Sequence, residues 1–590
     1  MRLQISALLF TLVFAGGVAD AAAIYPIDRA SILAGSRFDL KVEFDGVVDE
    51  ADVRVTINGK DAARVLGQPA AFVSREDGAP QSTVKFNQAS LQHPGDYEIV
   101  ATAGRQALRA GWSVYGAGRP KARNVILFIG DGMTIANRTA ARILSKGIVQ
   151  GKYLGKLSFD DFPGMALIGT SGVDAIVTDS ANSMSAYTTG HKSSVNALGV
   201  YVSRAKDNLA HPKVETLSEL VKRRTGKAVG IVTDAEVQDA TPAGMVAHTR
   251  RRADKPEITE MLFFSGADVI MGGGSAYFLP QKTPGSKRKD DNDFISLFRN
   301  DGYAVATVAG DLKQAAAAAG TRKLLGLFHP ENMDGALDRH FLKKGTVDKY
   351  PEQPDLVEMT AAAIEVLSRN KEGFVLMVEA GLIDKFSHPL DWERSVYDTI
   401  MLSNAVQVAK DFAAKRNDTL ILVTPDHTHG MAIVGTVDDA KPGEEMREKV
   451  GVYAEAGYPN YPAPNKDGYP EDPNPSRRLA VFYADFPDYY ETFRPHLEGP
   501  NVPALKGAGD KYTANPAYDK QPGAVLRVGN LPRSADAGVH SVDDGLLQAM
   551  GPGSDRVRGF MDNTEVFRVM ADALGLGPQA KPRQGKKPAR

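Results

Sequence analysis

Two hydrophobic textures divide the chain. In residues 24–115 apolar and polar positions alternate: Phe38, Leu40, Val42 and Phe44, then Val53, Val55 and Ile57 ahead of Asn58-Gly59, and Tyr97, Ile99 and Ala101 after Pro94-Gly95. Alternation of period two gives each strand one core face and one wet face. Asn-Gly accepts the positive φ of a tight hairpin. Residues 24–115 are therefore expected to form a small β-sandwich (Ig-like) module. After the linker 116–120 the texture changes to continuous apolar runs at 125–129, 228–233, 374–378 and 419–423, separated by helical stretches. Such runs are strands covered on both faces. The expected fold class is α/β: a large, mostly parallel central sheet with helices on both faces, preceded by the small β-sandwich.

In open sheets of this kind, reactive groups collect beyond the carboxyl ends of the strands. Acids and histidines stand in those places here. Asp131 follows the first run, Asp239 and Thr241 the second, Glu379 and Asp384 the third, and Asp426 and His427 the fourth. Residues 430–539, rich in Tyr, Pro, Asp and Gly, read as a long excursion with a strand over 479–483, and excursions of that length border sites.

Composition narrows the chemistry. The 590 residues, 43% hydrophobic, are enough for one large core and a second small one. A net charge of −2 gives no general reason to expect nucleic acid or an anionic membrane as a stable partner. With no cysteine there are no disulfides and no thiolate metal sites, so any metal must be held by His, Asp, Glu and hydroxyl oxygens. Arg2, an apolar run over 5–18 and Ala19-Asp20-Ala21 are the three parts of a signal peptide spanning 1–21. No later run is long enough for a transmembrane anchor. The expected location is periplasmic or extracellular, in a bacterial envelope. Lys581, Arg583, Lys586, Lys587 and Arg590 mark residues 576–590 as a basic, disordered tail.

The chemical segments are individually ambiguous. Asp384 and His388, four apart, share one helical face within reach of a single cation, but such pairs also occur as surface hydrogen bonds. Asp426-His427-Thr428-His429 adds two imidazoles at a strand end. In Thr178-Asp179-Ser180-Ala181 the serine could cap a helix, or its hydroxyl could act as a nucleophile beside the free N–H groups of that helix. No Gly-x-Ser-x-Gly surrounds it, so an attacking Ser180 requires a metal as activator.

Taken in order, the segments form a series: Asn124 to Met133 with Asp131, Thr178 to Ala181 with Ser180, Asp239 to Arg252, Glu379 to His388, Asp426-His427, His540, and Met550 to Ser554. Over residues 122–575 this series resembles the alkaline phosphatase family. The resemblance implies an alkaline phosphatase-like fold and hydrolysis of small-molecule phosphate monoesters through a phosphoserine, with two Zn and one Mg as cofactors. It implies one zinc on Asp384, His388 and His540, a second on Asp131, Asp426, His427 and Ser180, and magnesium on Asp131, Thr241 and Glu379. Arg252 corresponds to the phosphate arginine, leaving Arg250 and Arg251 as surface charges. His429 would orient a ligand carboxylate. Asp239 and Lys385 stand where many relatives carry histidines, as in well-known bacterial members, so Asp239 would order magnesium waters and Lys385 would reach phosphate through water. Thr134 and Pro425 depart from the usual glycine and alanine without removing a ligand.

The residues leave two rival functions open. One is a phosphodiesterase of the same superfamily, which usually has threonine for Ser180 and lacks Arg252. The other is a non-catalytic surface binder working through the sandwich. The oligomeric state is open, a homodimer included.

Overall fold

A computed structural model describes residues 22–578. The expected signal peptide and the end of the basic tail lie outside the described residues. The start of that tail needs correcting. Leu576 is buried, and its N–H donates to the Ala571 carbonyl, so the packed chain extends past residue 575.

The centre is a ten-stranded sheet. In chain order its strands are β1 (Asn124–Gly130), β2 (Gly164–Gly169), β3 (Ala228–Glu236), β4 (Val269–Gly273), β5 (Ala304–Ala306), β6 (Leu324–Leu327), β7 (Phe374–Ala380), β8 (Thr419–Thr424), β9 (Gly545–Met550) and β10 (Arg558–Asp562). They lie side by side as β5-β6-β4-β3-β7-β1-β8-β9-β2-β10. Every pairing is parallel except those of β9 with β8 and β2. The exception has a topological cause. The chain leaves the sheet at the carboxyl end of β8 and returns at that same end after the excursion, so β9 must run backwards.

Burial explains the continuous apolar runs. Ile126 and Phe128 of β1 face one apolar cluster, with Val396 and Ile400 of the helix Trp392–Ala414. Val125, Leu127 and Ile129 face another, with Val566 and Met570 of the helix Thr564–Leu574. Both faces are covered, as parallel sheets require. The far edge is different: β2 alternates, and Met165, Leu167 and Phe560 stay exposed.

Residues 23–115 form a four-stranded and a five-stranded sheet around one apolar cluster. Asn58 and Gly59, at φ 49° and 74°, close the turn that pairs Ile57 with Lys60. Tyr201 and Val214, from far along the chain, complete that cluster. In the excursion, Met431–Asp438 pairs with both Val450–Gly451 and Arg477–Tyr483. Among the described residues no helix is long and apolar enough to cross a membrane.

Leu376, in the middle of β7 and 0% exposed, tests the dependence on this core. Leu376→Ala should cost about 2–5 kcal/mol, whereas Leu526→Ala, at a position 51% exposed, should cost within about 0.5 kcal/mol. Urea unfolding of the two variants checks this, and equal losses would contradict the packing described.

Candidate active site

Ser180 is the first residue of the helix Ser180–Thr189, not its cap. Asp179 is the cap, its carboxylate accepting from the Asn182 N–H while the Asn182 side chain accepts from the Asp179 N–H. The helix is buried throughout and ends at Gly190 in the left-handed region. Tyr187 ties it to the strand-end loop after β8, donating to the Pro425 carbonyl at 2.7 Å. The Ser180 hydroxyl is thereby held 3.3 Å from His427 Nε2.

Around that nitrogen also lie Asp131 Oδ1 at 3.1 Å and Asp426 Oδ2 at 3.4 Å. A tetrahedral cation with N and O ligands at about 2.0–2.1 Å has ligand-to-ligand edges of about 3.3–3.4 Å. The three separations match such an edge. Both carboxylate oxygens are buried and form no hydrogen bond, which is costly for an anion with nothing else to satisfy it.

A second convergence lies beside the first. Asp384 Oδ1 is 3.3 Å from His388 Nε2 and 3.6 Å from His540 Nε2, and the two nitrogens are 3.2 Å apart. His388 Nδ1 donates to the Gly538 carbonyl and His540 Nδ1 to the Thr178 carbonyl, both at 2.8 Å. Those bonds fix the tautomers and turn both Nε2 lone pairs inward, as metal-binding imidazoles require. His429 Nε2 donates to Asp384 Oδ1 at 2.7 Å. Burial pushes the His429 pKa down to about 4, so it donates as a neutral ring. Gly132, at φ 65°, permits this packing, because a Cβ there would lie 2.7 Å from His429 Cδ2.

The third group borders these two. Thr241 Oγ1 is buried without a hydrogen bond. Burial, then the neighbouring Asp131, raises Glu379 well above the usual carboxylate range, although the Thr233 hydroxyl donates to it. Burial and Asp131 raise Asp426 in the same way. Asp239 behaves oppositely. Burial alone would raise it, but Lys385, 3.0 Å away, and Arg252, 2.7 Å away, hold it well below the usual range. Lys385 also lies 3.3 Å from Asp384. The two terminal nitrogens of Arg252 are split between Asp179, at 3.2 Å, and Asp239. Its guanidinium is thus held in one direction by two carboxylates.

Asp131, Ser180, Asp426 and His427 thus meet at one convergence and Asp384, His388 and His540 at the next, with Asp239, Lys385 and Arg252 alongside. Of the neighbouring arginines, Arg251 is exposed, while Arg250 is only half-buried and donates to the Val195 carbonyl at 3.0 Å. Sequence reasoning missed two further groups. Asp179 is not only a cap but also an arm of the Arg252 clamp. Asp234, inside β3, accepts from the N–H groups of Gly381 at 2.6 Å and Leu382 at 3.2 Å, and so caps the short helix Leu382–Ser387 that carries Asp384 and Lys385. Burial pushes Asp234 up to about 7. An acid directly after the apolar run 228–233 was the available signal.

The alkaline phosphatase family model matches residues 122–576. The alkaline phosphatase of Escherichia coli K12 is 35% identical over 376 residues, covering 58% of this chain and 77% of that protein. Alkaline phosphatase H of Pseudomonas aeruginosa is 31% identical over 455 residues, covering 71% of this chain and 91% of that protein. Among solved structures, the Thermus thermophilus alkaline phosphatase superposes with a TM-score of 0.55 at 23% identity, covering 79% of this chain and 93% of that one, and so agrees in fold. With the family model spanning most of its length and buried carboxylates and imidazoles converging at its strand ends, the chain belongs to the alkaline phosphatase family and is a metal-binding phosphomonoesterase.

Proposed function

We propose that the chain hydrolyses small-molecule phosphate monoesters to an alcohol and inorganic phosphate through a phosphoserine on Ser180, at a site for two Zn and one Mg. The observation that carries this reading is the Ser180 hydroxyl within an edge length of His427, beside two hydrogen-bond-free carboxylate oxygens. Asp384, His388 and His540 would hold one zinc. Asp131, Asp426, His427 and Ser180 would hold the other. Asp131, Thr241 and Glu379 would hold magnesium, which keeps several waters. Bound there, the cations supply Lewis acidity: they lower the pKa of a hydroxyl and neutralise the departing alcohol oxygen.

The protein's own groups do the rest. Ser180 attacks phosphorus and takes the phosphoryl group, the P–O bond to the alcohol breaks, and a water later displaces the serine oxygen to release phosphate. Arg252 presents a planar fork to two non-bridging oxygens, a geometry unavailable to lysine. Asp239 and Asp179 keep that fork charged and aimed. Burial would lower Lys385, but Asp239 and Asp384 outweigh it and hold the ammonium well above its ordinary pKa, so it stays cationic beside the phosphate position. Such a site works by positioning and charge, with no tight pocket demanded for the alcohol. The sequence of residues 1–21 supports export to the periplasm or medium. The same reading divides the chain into a β-sandwich over 24–115 and a catalytic part from 122 interrupted by the excursion 430–539.

Three outcomes test the reading. Ser180→Ala should lower kcat by roughly a thousandfold or more and abolish labelling of the protein by phosphate, while bound zinc stays near the wild-type amount; normal turnover would refute the nucleophile. Arg252→Ala should weaken inhibition by inorganic phosphate about 10- to 100-fold, the loss expected for charge-assisted hydrogen bonds. Chelation should abolish hydrolysis of p-nitrophenyl phosphate and added zinc with magnesium should restore it. Faster hydrolysis of the bis(p-nitrophenyl) ester by the restored enzyme would make it a diesterase.

A further inference from the structure

We infer that the two N-terminal sheets are a positioning element for the phosphate side of the active site, acting through residues 196–215, an arm of chain wedged between those sheets and Arg252. The inference rests on the reading of Arg252 as the phosphate ligand.

The outer part of the arm belongs physically to the N-terminal sheets. Tyr201 and Val214 are buried in their apolar cluster. Phe38 bridges to Val214, the Asp39 N–H donates to the Lys213 carbonyl at 2.8 Å, and the Glu215 N–H donates to the Arg37 carbonyl at 2.9 Å. At the tip the fastening is ionic. Lys41 is wholly buried, 2.7 Å from Glu43 and 2.9 Å from Glu76, and donates to the Ser203 hydroxyl at 3.0 Å. Glu43 in turn accepts from the Arg204 N–H at 2.9 Å, and the Arg204 guanidinium donates to the Phe44 carbonyl at 2.9 Å. Glu43 is 1% exposed. Releasing the tip would strip donors from a buried carboxylate, which is far costlier than parting two neutral surfaces.

The inner part of the arm holds the arginine segment. Leu198 and Thr249 exchange both backbone hydrogen bonds, at 2.8 and 3.0 Å. The Arg250 N–H donates to the Asn208 carbonyl and the Arg252 N–H to the Asn196 carbonyl, both at 2.9 Å. His248 Nδ1 donates to the Gly199 carbonyl at 2.9 Å. The Asn196 N–H donates to both oxygens of Asp179 at 3.2 Å, and Asp179 is the carboxylate that holds one side of the Arg252 fork. One arm therefore fixes Arg252 twice: at its backbone, and through the anion that orients its guanidinium. The N-terminal sheets reach the reaction by this route without contributing any residue that touches phosphate.

The test uses the full chain and a double-mutant cycle. Arg204→Ala should raise the inhibition constant for inorganic phosphate about three- to tenfold, with bound zinc unchanged. In the Arg252→Ala background the same substitution should add less than about twofold, because two residues acting through one group are not additive. Should Arg204→Ala fail to fold, Arg204→Lys keeps a cation beside Glu43 but gives up the bond to the Phe44 carbonyl, and is expected to raise the constant about twofold. A raised constant in Arg252→Ala beside an unchanged one in the Arg204 variants would overturn the clamp alone, as would equal rises in both backgrounds. An unchanged constant in Arg252→Ala would overturn the arginine assignment and the clamp with it.

Discussion

Crowding of negative charge governs this structure. Asp131, Asp234, Glu379, Asp384 and Asp426 are each 2% exposed or less and share one edge of one sheet, where Arg252 and Lys385 provide positive charge. Carboxylates so placed cannot all ionise by themselves. The upward displacement of Glu379, Asp426 and Asp234 states that conflict in terms of protonation. Bound metal cations would resolve it, and the geometry suits them, since Nε2 lone pairs and carboxylate oxygens sit at the spacing of a coordination shell.

The rest of the fold keeps the crowd in place. The parallel part of the sheet, buried on both faces, brings β1, β3, β7 and β8 out at a common edge, and each delivers at least one acid there. Local devices then aim the side chains: Asp179 caps the serine helix, Asp234 caps the helix bearing Asp384 and Lys385, and backbone carbonyls fix two imidazole tautomers. None of these devices is strong alone. Together they replace the freedom of long side chains with a set of fixed directions, which is what electrostatic catalysis needs.

Much of this was legible in the chain. The runs that became β1, β3, β7 and β8 were long and apolar because both faces are covered, and the acids after them were visible because polar groups interrupt such runs only for a reason. The short strands β4, β5 and β6 gave too few residues for a period to show, and nothing local reveals that β9 runs backwards, since direction is a property of the whole path. Asp179 and Asp234 were hidden differently: each does its work on a partner more than 70 positions away, Arg252 for one and Gly381 with Leu382 for the other. The arm 196–215 escaped notice for the same reason, because its two attachments are to distant stretches of chain.

Asp131 and His540 are the first and last of the converging residues, and the long excursion is threaded between His429 and His540. A ribosome must therefore finish nearly the whole polypeptide before the pair of imidazoles at 388 and 540 can face each other. Any fragment that stops short of residue 540 lacks that second imidazole, and with it β9 and β10 of the sheet. The site and the far side of the sheet are therefore completed together, at the end of the chain, because β9, β10 and the helix Thr564–Leu574 all follow His540.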